Sequence, residues 1–86
     1  MLVVKRYTAA WCGPCKQLAP VFSELQNEIP EVQFQTIDVD QNREAALEAN
    51  VSSVPTVIFE KEGMPIYRFS GVLPKSVIAG TIRKFL

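Results

Sequence analysis

Apolar and polar positions change their period several times along the chain, and each change marks an element. Residues 2–8 begin with the apolar-led run Leu2-Val3-Val4 and end at Tyr7-Thr8, which predicts a strand. Helical spacing follows. Leu18, Val21, Phe22, Leu25 and Ile29 recur at i, i+3, i+4, i+7 and i+11, the series of one buried helix face. Pro20 lies inside that stripe and removes one backbone donor. The stripe continues past it, so a kink is expected rather than an end, and Pro30 closes the segment. Val32 to Val39 alternates with a phase slip at Gln35-Thr36, which predicts a strand with an irregularity there. Asp40 to Asn50 predicts a short helix with Asp40 or Asn42 as N-cap and Asn50 near its C-cap. Thr56-Val57-Ile58-Phe59 predicts a buried strand, Glu60-Lys61-Glu62-Gly63 a turn, and Ile66-Tyr67-Arg68-Phe69 the return strand of a hairpin. Pro74 suits the first turn of a last helix, with Val77, Ile78, Ile82, Phe85 and Leu86 facing inward.

The resulting order is βαβαββα, an α/β pattern. A right-handed crossover makes the first two strands parallel, and the hairpin adds an antiparallel pair. Eighty-six residues suffice for one core, so residues 1–86 are expected to form a single domain. Nine basic residues balance nine acidic ones, and no basic tract marks a nucleic-acid or membrane partner. No apolar run approaches the ~20 residues that a membrane span requires. Met1-Leu2-Val3-Val4 meets Lys5-Arg6 too soon to be a signal sequence, so a cytoplasmic location is expected.

The chemistry is concentrated in Trp11-Cys12-Gly13-Pro14-Cys15-Lys16, which holds the only two cysteines. Two sulfurs at this spacing, where a helix begins, can close a small disulfide ring and open it again. The helix N-terminus stabilises a thiolate at the first of them, and Lys16 adds to that effect. Such a pair passes two electrons by thiol–disulfide exchange. Three inert readings compete. Structural zinc normally takes four protein ligands, whereas the chain offers two cysteines and no histidine, so zinc would need a site shared across a dimer. A permanent disulfide closing so small a ring contributes little entropic stabilisation. Two buried, unreactive cysteines are the third alternative. The redox reading is preferred, with Cys12 expected to be the more exposed and the attacking sulfur, Cys15 the resolving one, and no metal or other cofactor.

The hexapeptide, together with Pro20, Asp38-Val39-Asp40, Val54-Pro55-Thr56 and Gly71, resembles the thioredoxin superfamily over nearly the whole chain. The resemblance implies a minimal thioredoxin fold, a four-stranded mixed sheet with strand one between strands two and three and helices on both faces. It implies that the Val54-Pro55 bond is cis and lies against the disulfide, leaving the Val54 backbone free to pair with a bound peptide. Trp11 would wall the disulfide and pack on a partner, Pro14 would stiffen the ring, and Gly71 would be either a turn residue or an opening for substrate.

Two departures stand out. The chain has the length of a glutaredoxin, without the extra N-terminal strand and helix of ordinary thioredoxins. It also has Arg6 where thioredoxins usually bury an Asp beneath the disulfide, and Thr36 where a Lys partners that Asp. If the Arg6 guanidinium points toward the motif, it should lower the Cys12 pKa and make the pair more oxidising. A plainer expectation is that one of Lys5 and Arg6 snorkels outward while the other meets a carboxylate such as Asp38.

The expected function is a protein thiol–disulfide reductase, acting as a monomer on protein disulfides and recharged by a thioredoxin-reductase-type donor. Two alternatives remain. One is a glutathione-dependent glutaredoxin, whose usual Cys-Pro-Tyr-Cys and glutathione anchors are missing from Cys12-Gly13-Pro14-Cys15, Ala9 and Ser70-Gly71-Val72-Leu73-Pro74. The other is a redox-silent binding module that keeps only the fold.

Overall fold

A computed structural model describes residues Met1–Leu86. Its elements run β1 (Leu2–Thr8), α1 (Gly13–Glu28), β2 (Gln33–Asp38), α2 (Arg43–Glu48), β3 (Thr56–Lys61), β4 (Met64–Ser70) and α3 (Lys75–Lys84). The strands form one mixed sheet in the order β2-β1-β3-β4, with β1 and β2 parallel and the other pairs antiparallel. This is the α/β architecture expected from the order of periods, with β1 in the interior of the sheet.

Period-2 alternation divides the sheet into two faces. Leu2, Val4, Val57 and Phe59 meet Leu18, Phe22 and Leu25 of α1 and Ile78, Ala79 and Ile82 of α3 in a single apolar core. Lys5, Tyr7 and Ile58 line the opposite face, which only the short α2 covers. Removing these apolar side chains from water, at about 25 cal/mol per Å², holds the α1–α3 layer on the sheet.

α1 runs on through Pro20, whose side chain is exposed, as the continuing apolar stripe predicts. Several other sequence expectations need correction. The register of β1 against β2 is continuous through Gln35 and Thr36; the irregularity lies between Phe59 and Glu60 in the β3–β4 pair instead. β2 is an edge strand, where relaxed burial allows polar residues to break the apolar alternation without a bulge. The hairpin turn is also tighter than expected. Both strands extend to Lys61 and Met64, leaving Glu62 and Gly63 with φ of 52° and 76°. Two positive φ values in a two-residue loop match the right-handed twist of the flanking strands. In α3, Val77 and Leu86 are exposed rather than inward, while Ala79 joins Ile78 and Ile82 in the core. Asn42 occupies the N-cap position of α2 without a capping side-chain hydrogen bond, its amide donating to the Asp38 carbonyl instead, and Asn50 lies just beyond the C-cap Ala49 in the left-handed region.

Candidate active site

Parallel pairing places Thr8 beside Asp38, so the loops that follow β1 and β2 leave the sheet side by side. Antiparallel pairing places Thr56 opposite Tyr7 and Ser70 opposite Thr56. The chain segments at residues 9–12, 39–40, 54–55 and 71 therefore converge on one end of the sheet. Open α/β sheets place ligand sites at the carboxyl ends of their strands for this reason.

Cys12 and Cys15 meet there as a disulfide, with Cα atoms 5.2 Å apart. Cys12 is the N-cap of α1, and the Cys15 N–H donates to its Sγ at 3.2 Å. The sulfur takes the place that a capping oxygen usually fills, so a thiolate at Cys12 is favoured by both that hydrogen bond and the helix dipole. Pro14 occupies the first turn, where its missing N–H costs no helix bond. Ala9 packs against both sulfurs, with Val39 and Val54 beside it.

Exposure does not distinguish the two cysteines: Cys12 is 4% exposed and Cys15 2%. Cys12 is the more exposed of the two by this small margin only. Val39, Val54 and Ala9 close over the pair, and the difference between the sulfurs lies in their hydrogen bonding.

The Val54–Pro55 bond is cis, and the Val54 carbonyl oxygen lies 3.7 Å from Cys12 Sγ. The Val54 N–H has no partner within the chain. Thr56 anchors this turn, its hydroxyl donating to the Ser53 carbonyl at 2.7 Å with Ser70 Oγ 3.0 Å away. Gly71 donates its N–H to the Pro55 carbonyl at 2.9 Å and has φ of 86°. A Cβ there would meet nothing within 4 Å, so the backbone conformation, rather than crowding, calls for glycine.

Trp11 is 70% exposed, and its Nε1–H donates to Asp40 Oδ2 at 2.8 Å. Sequence reasoning passed over Ala9, Val39 and the Trp11 partnership of Asp40; the signal was the position of Asp38-Val39-Asp40 at the end of a strand parallel to β1. Gly13, Pro14 and Lys16 are exposed on the first turn of α1. Neither Lys5 nor Arg6 forms an ion pair with Asp38. Lys5 Nζ pairs with Glu60 at 3.1 Å on the α2 face, while Arg6 turns to the α1 face and forms no ion pair.

The thioredoxin family profile matches residues 1–84. The chain belongs to the thioredoxin family. It is 44% identical over 70 residues to an H-type thioredoxin of Picea mariana, covering 81% of this chain and 56% of that protein. It is 37% identical to a thioredoxin of Chlamydia pneumoniae, covering 96% of this chain and 81% of that one. The X-ray structure of Fasciola hepatica thioredoxin superposes with a TM-score of 0.91 at 44% identity, over 96% of this chain and 79% of the other. The chain thus spans little more than half of the Picea relative and about four fifths of the other two. Family membership and the closed Cys12–Cys15 pair make it a thiol–disulfide oxidoreductase. Nothing in these relationships favours the glutaredoxin or the redox-silent alternative. No helix is long and apolar enough to cross a membrane.

Proposed function

We propose that the chain reduces disulfides in other proteins, with Cys12 as nucleophile and Cys15 as resolving thiol. The Cys12 thiolate attacks one sulfur of a substrate disulfide. The other substrate sulfur leaves with the bonding pair and takes a proton from water. Cys15 then attacks Cys12 Sγ, displaces the second substrate sulfur as a thiolate, and closes the Cys12–Cys15 disulfide. Two electrons have passed to the substrate, and a donor dithiol of the thioredoxin-reductase type restores the pair.

The observation that carries this reading is Cys12 Sγ at the N-cap of α1, 3.2 Å from the Cys15 amide and 3.7 Å from the Val54 carbonyl oxygen. The unpaired N–H of Val54 and its carbonyl, which only Cys12 Sγ approaches, offer an extended substrate segment a backbone pairing site beside the sulfur. Trp11, Gly13, Pro14, Pro55 and Gly71 surround that track as contact residues. A monomer working in the cytoplasm on protein substrates, with neither metal nor bound cofactor, completes the reading.

Insulin reduction tests it. The chain should accelerate reduction with thioredoxin reductase and NADPH, and Cys12→Ser should abolish turnover. Cys15→Ser should accumulate a mixed disulfide through Cys12, because attack survives and resolution does not. Turnover with glutathione and its reductase alone would transfer the chain to the glutaredoxin alternative. A mixed disulfide formed through Cys15 would reverse the two roles.

A further inference from the structure

Arg6 is the one buried cation that the exchange chemistry leaves unused. It is 9% exposed, Nη2 donates to Thr36 Oγ1 at 3.2 Å, and Cζ lies 5.5 Å from the Phe22 ring centroid. Nε is buried without a partner, and no carboxylate forms an ion pair with the guanidinium. Burial lowers the Arg6 pKa, yet a guanidinium starts so high that it stays charged. A fixed positive charge is therefore held beneath α1 with neutral partners only.

Its side chain shares a cleft with the inner cysteine. Arg6, Ala9, Cys15, Lys16, Ala19 and Asp38 line a cleft of about 290 Å³, and Cys12 is not among the lining residues. The other charged groups on the cleft are Lys16 from α1 and Asp38 from the end of β2. Asp38 Oδ1 is already engaged by the N–H groups of Asp40 at 2.9 Å and Gln41 at 3.2 Å. β3 presents apolar Val57 opposite Arg6. Two cations, Arg6 and Lys16, and one carboxylate, Asp38, thus line the cleft that Cys15 borders.

We propose that Arg6 is a positioning cation for Cys15, holding its sulfur as the thiolate so that resolution proceeds without a carboxylate base. This rests on the reading above in which Cys15 resolves. The Cys15 proton leaves to water through the open cleft. The thiolate then attacks Cys12 Sγ, the bond from Cys12 to the substrate sulfur breaks, and that sulfur departs with the electron pair to be protonated by water. In the reverse half of the cycle a donor thiolate attacks Cys12, and Cys15 leaves as a thiolate. A leaving sulfur of lower proton affinity departs faster, and a stabilised thiolate favours the reduced pair.

The test follows the Cβ resonances of both cysteines against pH in the fully reduced chain, with no substrate present. Cys15 in the unaltered chain should titrate below the ordinary thiol value of about 8.5. Arg6→Met keeps an apolar stem over Phe22 and should raise the Cys15 midpoint by about one pH unit, a tenfold gain in proton affinity. At a pH above both midpoints the equilibrium with glutathione should move roughly tenfold toward the oxidised protein, ~30 mV more negative for a two-electron couple, and less at neutral pH. Arg6→Lys should restore most of both. Lys16→Gln, at an exposed position, should shift the midpoint less. A Cys15 midpoint at or above the ordinary value in the unaltered chain overturns the proposal without any variant. So does a folded Arg6→Met with an unchanged midpoint, or a larger shift in Lys16→Gln. Because these titrations involve no substrate, insulin turnover by the unaltered chain reports separately on the reductase reading.

Discussion

On one side of the sheet, α1 and α3 press Leu18, Phe22, Leu25, Ile78 and Ile82 onto Val4, Val57 and Phe59, leaving almost none of these side chains exposed. On the other side, the six-residue α2 leaves a groove of about 490 Å³ among Lys5, Tyr7, Ile58, Glu60 and Arg68. The first face is held by dispersion and the hydrophobic effect. The second is held by polar pairing: Lys5 with Glu60 at 3.1 Å, and Arg68 with the Ala49 and Asn50 carbonyls at the end of α2. A cation that faces α1 has to find neutral partners, as Arg6 does, whereas a cation one residue earlier meets a carboxylate and water. The same strand therefore gives neighbouring basic residues two different fates, and only the buried one faces α1, the helix that carries the redox pair.

If this contrast is right, the largest effect comes from the apolar face. Phe59→Ala removes a fully buried ring that contacts Tyr67 and Phe85, and should cost roughly 3–5 kcal/mol in denaturant unfolding. A loss below about 1 kcal/mol would show that the two faces are not energetically distinct.

A smaller effect, confined to alkaline pH, comes from Tyr7 on the groove face. Burial raises its pKa above 10.0, with weaker contributions from Lys5, Glu60 and Arg68. The folded state then holds its phenol proton at a pH where the unfolded state has released it. The resulting stability is fully present below 10.0 and is lost as pH rises through the higher folded value. Unfolding midpoints should fall more steeply above that pH in the parent than in Tyr7→Phe; parallel curves would place Tyr7 in open solvent.

The smallest effect belongs to the ion pair. Lys5 and Glu60 are partly solvated, with side chains 26% and 19% exposed, so Glu60→Gln should cost at most about 1 kcal/mol, and less in high salt. A salt-independent loss as large as that of Phe59→Ala would mean that this face is also sealed from water.

Much of the fold was legible because central elements obey strict periods. β1, the α1 stripe and β3 each bury a regular face, and the elements appear where the periods place them. The errors fall where burial is relaxed. Edge strand β2 shows a phase slip without a bulge, and α3 centres its buried face on Ile78 and Ile82, turning Val77 to solvent. At the site, residue identity and spacing announced the Cys12–Cys15 pair and the turn at Val54-Pro55. Burial of Cys12 was not legible, because Ala9, Val39 and Val54 cover it from three separate segments. The destination of Arg6 was not legible either, since a one-residue change of register would exchange it with Lys5.

The interior position of β1 has a consequence for how the chain acquires its structure. Val3 pairs with Gln33 on one edge, while Leu2 pairs with Lys61 on the other. β1 precedes β2 and β3 in the sequence and is thus bonded on both edges only once β3 has been synthesised. Local assembly of β1, α1 and β2 can form the parallel pair, but Val57 and Phe59 are then still missing from the core. Closing such distant contacts carries its entropic cost before the reward of packing arrives, which slows folding relative to a helical bundle of similar size. Until β3 arrives, β1 stays open along one edge.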